Sequence, residues 1–240
     1  MTRTAVFVEG QTELIFVREL LLKVFEYQNI SLECFNLFTD TNFHPTDYAF
    51  PNPDAAHFFQ IINVGNDKSV LTRILKRESY LKNAGFQRII GLRDMYSGEY
   101  RDLVKNQSID NDINQKFIDG HRSQIKSGDI FFSFAIMEIE SWLLGLRRSF
   151  ERMDNRLTPE FINEHVGFDL NTVDPEKTFF HPADNVHDIF QLVGQRYSKS
   201  KGDINALVSH IERNDYIELL ESTKCNSFKE FYGSLQIPKV

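Results

Sequence analysis

The stretch Thr4-Ala5-Val6-Phe7-Val8-Glu9-Gly10-Gln11-Thr12-Glu13-Leu14-Ile15 changes period in its middle. Ala5 to Val8 is a short apolar, β-prone run that stops at Glu9-Gly10. It reads as a buried strand, with the glycine letting the chain turn sharply. From Thr12 onward Leu14, Ile15, Val17, Leu20, Leu21, Val24 and Phe25 recur at helical spacing. Thr12 is placed to cap that helix. Strand, glycine turn and helix make half of a βαβ unit.

Outward from this opening the alternation continues. Leu32 to Phe38 and Phe58 to Val64 read as strands, the latter closed by Gly65-Asn66-Asp67. Thr39 to Asp54, with three prolines, reads as loop. Ser69 to Asn83 looks helical, with Gly85 as its stop signal. Phe86 to Leu92 is an inner-strand pattern ending in Arg93-Asp94, and Tyr96 to Asp112 is polar and loop-like. Asn114 to Ile125 is a helix pattern, Ile130 to Phe134 a further strand, and Met137 to Leu144 has helical spacing. Strands alternating with helices predict an α/β fold with a mainly parallel sheet flanked by helices. After about Gly145 the β signal fades. Thr158 to His165, His187 to Arg196, Asp203 to Arg213 and Ser227 to Leu235 read as helices, and Thr172 to Pro182 as an irregular connection. The expected organisation is an α/β domain over residues 1–147 and a helical C-terminal part over 148–240, packed on it.

Composition bounds the function classes. The chain has 240 residues, 41% hydrophobic and 25% charged, enough for a sizeable core. Its 22 Phe point mainly to a ring-filled core. A net charge of −7 argues against capture of nucleic acid by the whole surface, so a nucleic-acid partner would need a local basic strip or a basic partner. Two distant cysteines, Cys34 and Cys225, form neither a zinc framework nor a disulfide scaffold. With no signal peptide pattern and no apolar run of membrane-spanning length, the expectation is a cytoplasmic protein without membrane contact. There is no Walker loop and no nucleophile elbow.

In parallel sheets functional groups gather beyond the carboxyl ends of the strands. Glu9 and Asp94 stand at two such ends, and Glu13 lies one turn into the first helix. Carboxylates so placed can hold Mg²⁺, which prefers oxygen ligands; equally, Glu13 can serve the helix dipole while Glu9 is solvated. Glu138 and Glu140 are further candidate ligands from the next strand end, or ordinary acids at a helix start. Lys199 and Lys201 could contact a phosphate, or form a solvated lysine pair. Trp142, among apolar neighbours, reads as packing.

Val8-Glu9-Gly10-Gln11-Thr12-Glu13 at the end of a first strand resembles the opening motif of Toprim-like domains. The nearer resemblance is to the branch related to the OLD (overcoming lysogenization defect) nucleases and to small stand-alone Toprim-like proteins of bacterial defence loci. Asp94 matches the first acid of that fold's Asp-x-Asp motif. Glu138-Ile139-Glu140-Ser141-Trp142-Leu143-Leu144 is similar to a Glu-Ile-Glu-Ala-Trp-Leu-Leu pattern of those small proteins, and Ser227-Phe228 with Phe231 to their C-terminal ending. The resemblance implies a Toprim/Rossmann-like sheet and a metal-dependent nuclease acting on DNA or RNA; the expected ligands of Mg²⁺ or Mn²⁺ are then Glu9 and Asp94, with Glu13 and Glu138 or Glu140 at a second ion or orienting water. It also implies an ATPase partner and a role in antiviral defence, and leaves homo-oligomer formation open. One departure is plain: Tyr96 stands where the motif's second acid is expected, and its hydroxyl is a poor Mg²⁺ ligand at neutral pH. Glu99, Asp102, Glu138 or Glu140 would then supply the missing oxygen, or the second metal is lost. The alternative is a catalytically silent binding or sensor subunit of the same shape.

Overall fold

A computed structural model describes residues 1–37, 39, 41–104 and 106–237. Phe38, the last residue of the expected second strand, lies outside the described residues, as do Asp40 and Lys105 within the two stretches read as loop.

The fold is α/β. Its strands are β1 (Thr2–Val8), β2 (Ile30–Asn36), β3 (His44–Pro45), β4 (His57–Asn63), β5 (Arg88–Asp94) and β6 (Ile130–Ala135). They form one sheet in the order β3-β2-β4-β1-β5-β6. β1 pairs in parallel with β4 and β5, and β2 in parallel with β4; the two-residue β3 runs antiparallel against β2. β1 has a neighbour on each side, and its Ala5 to Val8 run is fully buried on both faces of the sheet, as a continuous apolar strand requires. The helices nearest the sheet are α1 (Gln11–Val24) and α2 (Ser69–Asn83). α1 packs on β4 and β2, and α2 on β5 and β1. Among the described residues no helix is long and apolar enough to cross a membrane.

Several expectations shift in detail. α1 begins one residue before Thr12, with Gly10 at the cap position and no side chain closing it. Gly10 has φ −147°, extended backbone open to any residue, so a turn is not what requires glycine there. Glu13 does come close: a Cβ on residue 10 would meet Glu13 Oε2 at 3.0 Å, so a side chain there would press on that carboxylate. At the end of α2, Gly85 does adopt the left-handed conformation, φ +83°, and the amides of Gly85 and Phe86 turn back to Lys82 and Leu81. Within the polar stretch after Asp94 lies a short helix, α3 (Gly98–Leu103), capped by the Ser97 hydroxyl, which accepts from the Tyr100 amide. α4 (Asn111–Arg122) follows, and α5 (Glu140–Gly145) starts three residues later than the periodicity suggested.

The chain divides into two compact units. One comprises Met1–Asp94, Gln115–Phe134 and the stretch from Glu230; it carries the sheet. The other comprises Met95–Asn114 and Ala135–Lys229 and is helical. It includes short helices at Arg148–Met153, Pro175–Thr178 and Arg213–Glu221 that the sequence pattern did not resolve. Arg152 on the first of these donates to both carboxylate oxygens of buried Asp215 on the last, tying the two together.

Candidate metal centre

In the sheet unit, register brings the acids together. Val8 is the last residue of β1 to pair, opposite Asn63 on one side and Leu92 on the other. Glu9 therefore leaves the sheet beside the end of β5, where Asp94 is the last strand residue. The Asp94 amide donates to Glu9 Oε2 at 3.1 Å. Glu13, in the first turn of α1, is buried at 4% exposure and folds back over Gly10. Asp94 is buried as well.

Charge in this corner is unbalanced. Burial first, then repulsion from Glu13, pushes the Glu9 carboxyl up to about 8; the Asp94 amide and Arg93 oppose the rise, and Asp67 adds to it. The local cation is Arg93, only 2% exposed. Its guanidinium donates to Asp67 at 3.3 Å and to the Asp94 carbonyl at 3.3 Å. A third donor reaches His121 Nε2 at 3.1 Å, while His121 Nδ1 lies 2.9 Å from the Phe117 carbonyl. A carbonyl only accepts, so the ring carries its proton on Nδ1 and receives Arg93 at Nε2. The guanidinium also lies near the faces of Phe117 and Phe134, at 5.6 and 5.7 Å from their centroids.

These residues suit a hard divalent cation. Crowded, poorly solvated carboxylates with one guanidinium among them would be relieved by added positive charge. The buried Gln11 Nε2, in the same turn as Glu9 and Glu13, has no hydrogen-bond partner among the described residues, so a donor remains for a water or an oxygen ligand. As the side chains stand, no set of three or more His, Cys, Asp or Glu among the described residues is in metal-holding geometry.

The other candidates fall in the helical unit and form a cluster of their own. Glu138 accepts from Lys199 Nζ at 2.7 Å and from the Ala183 amide at 3.0 Å. Glu140, completely buried, accepts from the Tyr197 hydroxyl at 2.7 Å, and its other oxygen pairs with Lys199 at 3.2 Å. Burial raises the Glu140 pKa, Lys199 lowers it and Glu138 raises it. Lys199 thus bridges two carboxylates, held there on a left-handed backbone, φ 57°. Lys201 is exposed at the first position of the helix Lys201–Ser209. Met137, just before Glu138, also has positive φ (61°) and is fully buried.

Two pieces of the sequence resemblance meet in one buried network. The indole of Trp142 donates to Glu176 at 3.0 Å and Ser227 at 2.9 Å, and Ser227 donates to Glu176 through both hydroxyl and amide. Phe228 packs against the indole at 5.4 Å. Trp142 is therefore packing, as its neighbours suggested. Tyr96 is held among rings, 5.6 Å from Phe180 and 4.8 Å from His181, with Arg101 over its face. Glu99 and Asp102 are exposed on α3.

Sequence reasoning passed over Asp67, Arg93 and His121. The rule that picked out Glu9 and Asp94, an acid just past a strand end, also covers Asp67 after β4. His121 gave no such signal, because it reaches Arg93 from the last turn of α4. Neither a family model, nor a curated protein, nor a solved structure matches the chain.

Proposed function

We propose that the chain is a metal-dependent nuclease of the Toprim-like type that cleaves phosphodiester bonds of DNA or RNA, working beside an ATPase partner in defence against phage. The observation that carries this reading is the meeting of Glu9 and Asp94 at the ends of two adjacent inner strands, with Glu13 near enough to raise the Glu9 pKa. Glu9, Glu13 and Asp94 would hold Mg²⁺ or Mn²⁺. When bound, that ion supplies charge neutralisation at the phosphate and activation of water. Arg93 fixes the backbone at Asp94 and restrains Asp67, so the carboxylates keep their places. Gly10 leaves the space into which Glu13 folds. Glu138, Glu140 and Lys199, joined to one another in the helical unit, and Lys201 are the further residues proposed for the same activity. The resemblance of the Val8 to Glu13 motif supports the class of reaction and the ATPase partner.

Tyr96 favours a second reading, a silent Toprim-like binding or sensor subunit, because its ring packing gives the position a structural use with no carboxylate. One assay separates the two. Plasmid DNA, single-stranded DNA and tRNA are incubated with Mg²⁺ or Mn²⁺ and wild-type or Glu9→Gln protein, with and without the candidate ATPase. Cleavage that requires metal and disappears in the variant supports the enzyme; cleavage unchanged in Glu9→Gln removes this site from the reaction, and none under any condition leaves the silent subunit.

A further inference from the structure

A chain of net charge −7 can meet a polyanion only through a local concentration of positive charge. The exposed side of α2 provides one. Arg73, Lys76, Arg77 and Tyr80 follow the i, i+3, i+4, i+7 spacing that places residues in one stripe. The helix has a single acid, Glu78, and that acid pairs with Lys82. Opposite the stripe stand Thr41 and Phe43, from the segment between β2 and β3, and the two sides enclose a groove of about 460 Å³.

Aromatic rings are part of the same groove. Phe43 lies edge-on to Phe35 at 5.4 Å and receives the Arg77 guanidinium over its face at 4.5 Å. Tyr80 is 68% exposed, a large ring left in water at the far end of the stripe. Rings beside regularly spaced cations are the pairing that single strands use: the cations follow phosphates while unpaired bases stack. Arg77 is held below its ordinary pKa by burial first and then by the charge of Arg73. From Arg73 to Tyr80 the helix rises about 10 Å, the span of roughly three phosphates at stacked spacing. α2 begins two residues after Asp67, the partner of Arg93, so the helix that carries the stripe starts beside the acidic corner.

We infer that the Arg73-Lys76-Arg77-Tyr80 stripe of α2, with Phe43, is a binding track for single-stranded nucleic acid, its cations on the phosphates and its rings on unpaired bases. The inference deepens the nuclease reading by naming the form of its substrate, and it rests on that reading only for the cutting step.

The test measures binding without cutting. Fluorescent single-stranded DNA, single-stranded RNA of the same sequence and the matching duplex are titrated with the whole chain in EDTA, by anisotropy, over a series of salt concentrations. Wild type is expected to prefer both single strands to the duplex, and the DNA and RNA arms then tell which is held more tightly. Arg73→Gln/Lys76→Gln/Arg77→Gln should lower the slope of log affinity against log salt by about 2, near 0.7 for each phosphate that no longer meets a cation. Lys116→Gln/Lys126→Gln/Arg156→Gln, an equal loss of charge elsewhere on the surface, should leave that slope nearly unchanged. Because Arg77 packs on Phe43, Lys76→Glu/Tyr80→Ala, which alters exposed positions alone, repeats the test without risk to the fold. It should weaken single-strand binding by roughly fivefold to a hundredfold and duplex binding less. Equal losses in the α2 and control variants, a duplex held as tightly as the single strands, or no binding by wild type would each overturn the inference. Binding through α2 with no metal-dependent cleavage would sink the nuclease reading and leave the track standing.

Discussion

Replacing Glu9 by Gln removes an ionisable group that the fold holds at a disadvantage. In the folded chain its carboxyl is pushed from 4.5 to about 8, first by burial and then by Glu13. Between those values the folded chain keeps a proton that the unfolded chain has released. The sign follows: the fold has its full stability below about pH 4.5, loses it steadily as pH rises, and levels off above about pH 8. At about 1.4 kcal/mol per unit the ceiling is about 5 kcal/mol. Glu9 is partly open to solvent, so about 2–3 kcal/mol is the expected loss, or roughly 4–12 °C in Tm for a chain of this size. Thermal and urea melts in EDTA across pH 5 to 8.5 check this. Wild type should lose stability with rising pH, whereas Glu9→Gln should be flatter and more stable at the alkaline end. Glu140 and Glu176 are also raised by burial and tilt both proteins alike, so the difference between them isolates Glu9. Adding Mg²⁺ or Mn²⁺ at pH 8 should restore the wild type and not the variant, because an ion that binds only the folded site stabilises it. Parallel pH profiles for the two proteins would refute the claim that Glu9 is a strained, buried acid.

Other outcomes follow from packing and charge. Gly91→Ala in β5 puts a Cβ 2.6 Å from Phe132 Cε2 and 2.8 Å from Ile74 Cδ1, and should cost about 1–3 kcal/mol in urea unfolding; a neutral result would contradict the closeness of α2 and β6 to that strand. Lys199→Gln leaves Glu138 and Glu140 without their shared cation and should destabilise by about 1–2 kcal/mol near neutral pH, and by less as pH falls, because burial makes Glu140 readier to take up a proton that relieves the repulsion. Cys34 is pushed up to about 12 by burial and Cys225 is raised well above its ordinary value. Neither thiol should react with iodoacetamide in the native chain at pH 8, and both should react in urea; rapid native labelling would show that these residues are not enclosed.

The parts of the fold legible in the sequence are those where one strong pattern decides. Ala5 to Val8 is continuously apolar because β1 is an inner strand buried on both faces, and the change of period at Thr12 announces α1. β3 was not legible, since two residues at a sheet edge carry no period. The single helix expected over Asp203 to Arg213 ends at Ser209, and a new one starts at Arg213 behind a reciprocal Glu212–Asp215 cap. That break depends on side chains bonding to backbone, which an apolar pattern does not record. The same limit applies to the site. Strand-end placement found Glu9 and Asp94, whereas the Arg93–His121 contact joins residues 28 positions apart and had no local trace. The pairing of Lys199 with Glu138 and Glu140 had no local trace either, because it joins residues about 60 positions apart around a buried carboxylate that needs a cation near it.

The strand order also dictates when the sheet can be completed. β2 leaves α1 and does not pair with β1; it takes a place one strand further out, and the gap is filled only by β4. During synthesis both β1 and β2 therefore emerge before the strand that joins them, each presenting unpaired backbone groups and apolar side chains. A chain arrested before His57 would hold two open edges, the hazard that later pairing removes. The joining of β1 to β2 therefore waits for β4, and β5 and β6 then extend the sheet on the far side of β1. Such delayed closure makes the nascent chain dependent on whatever shields its edges in the interval.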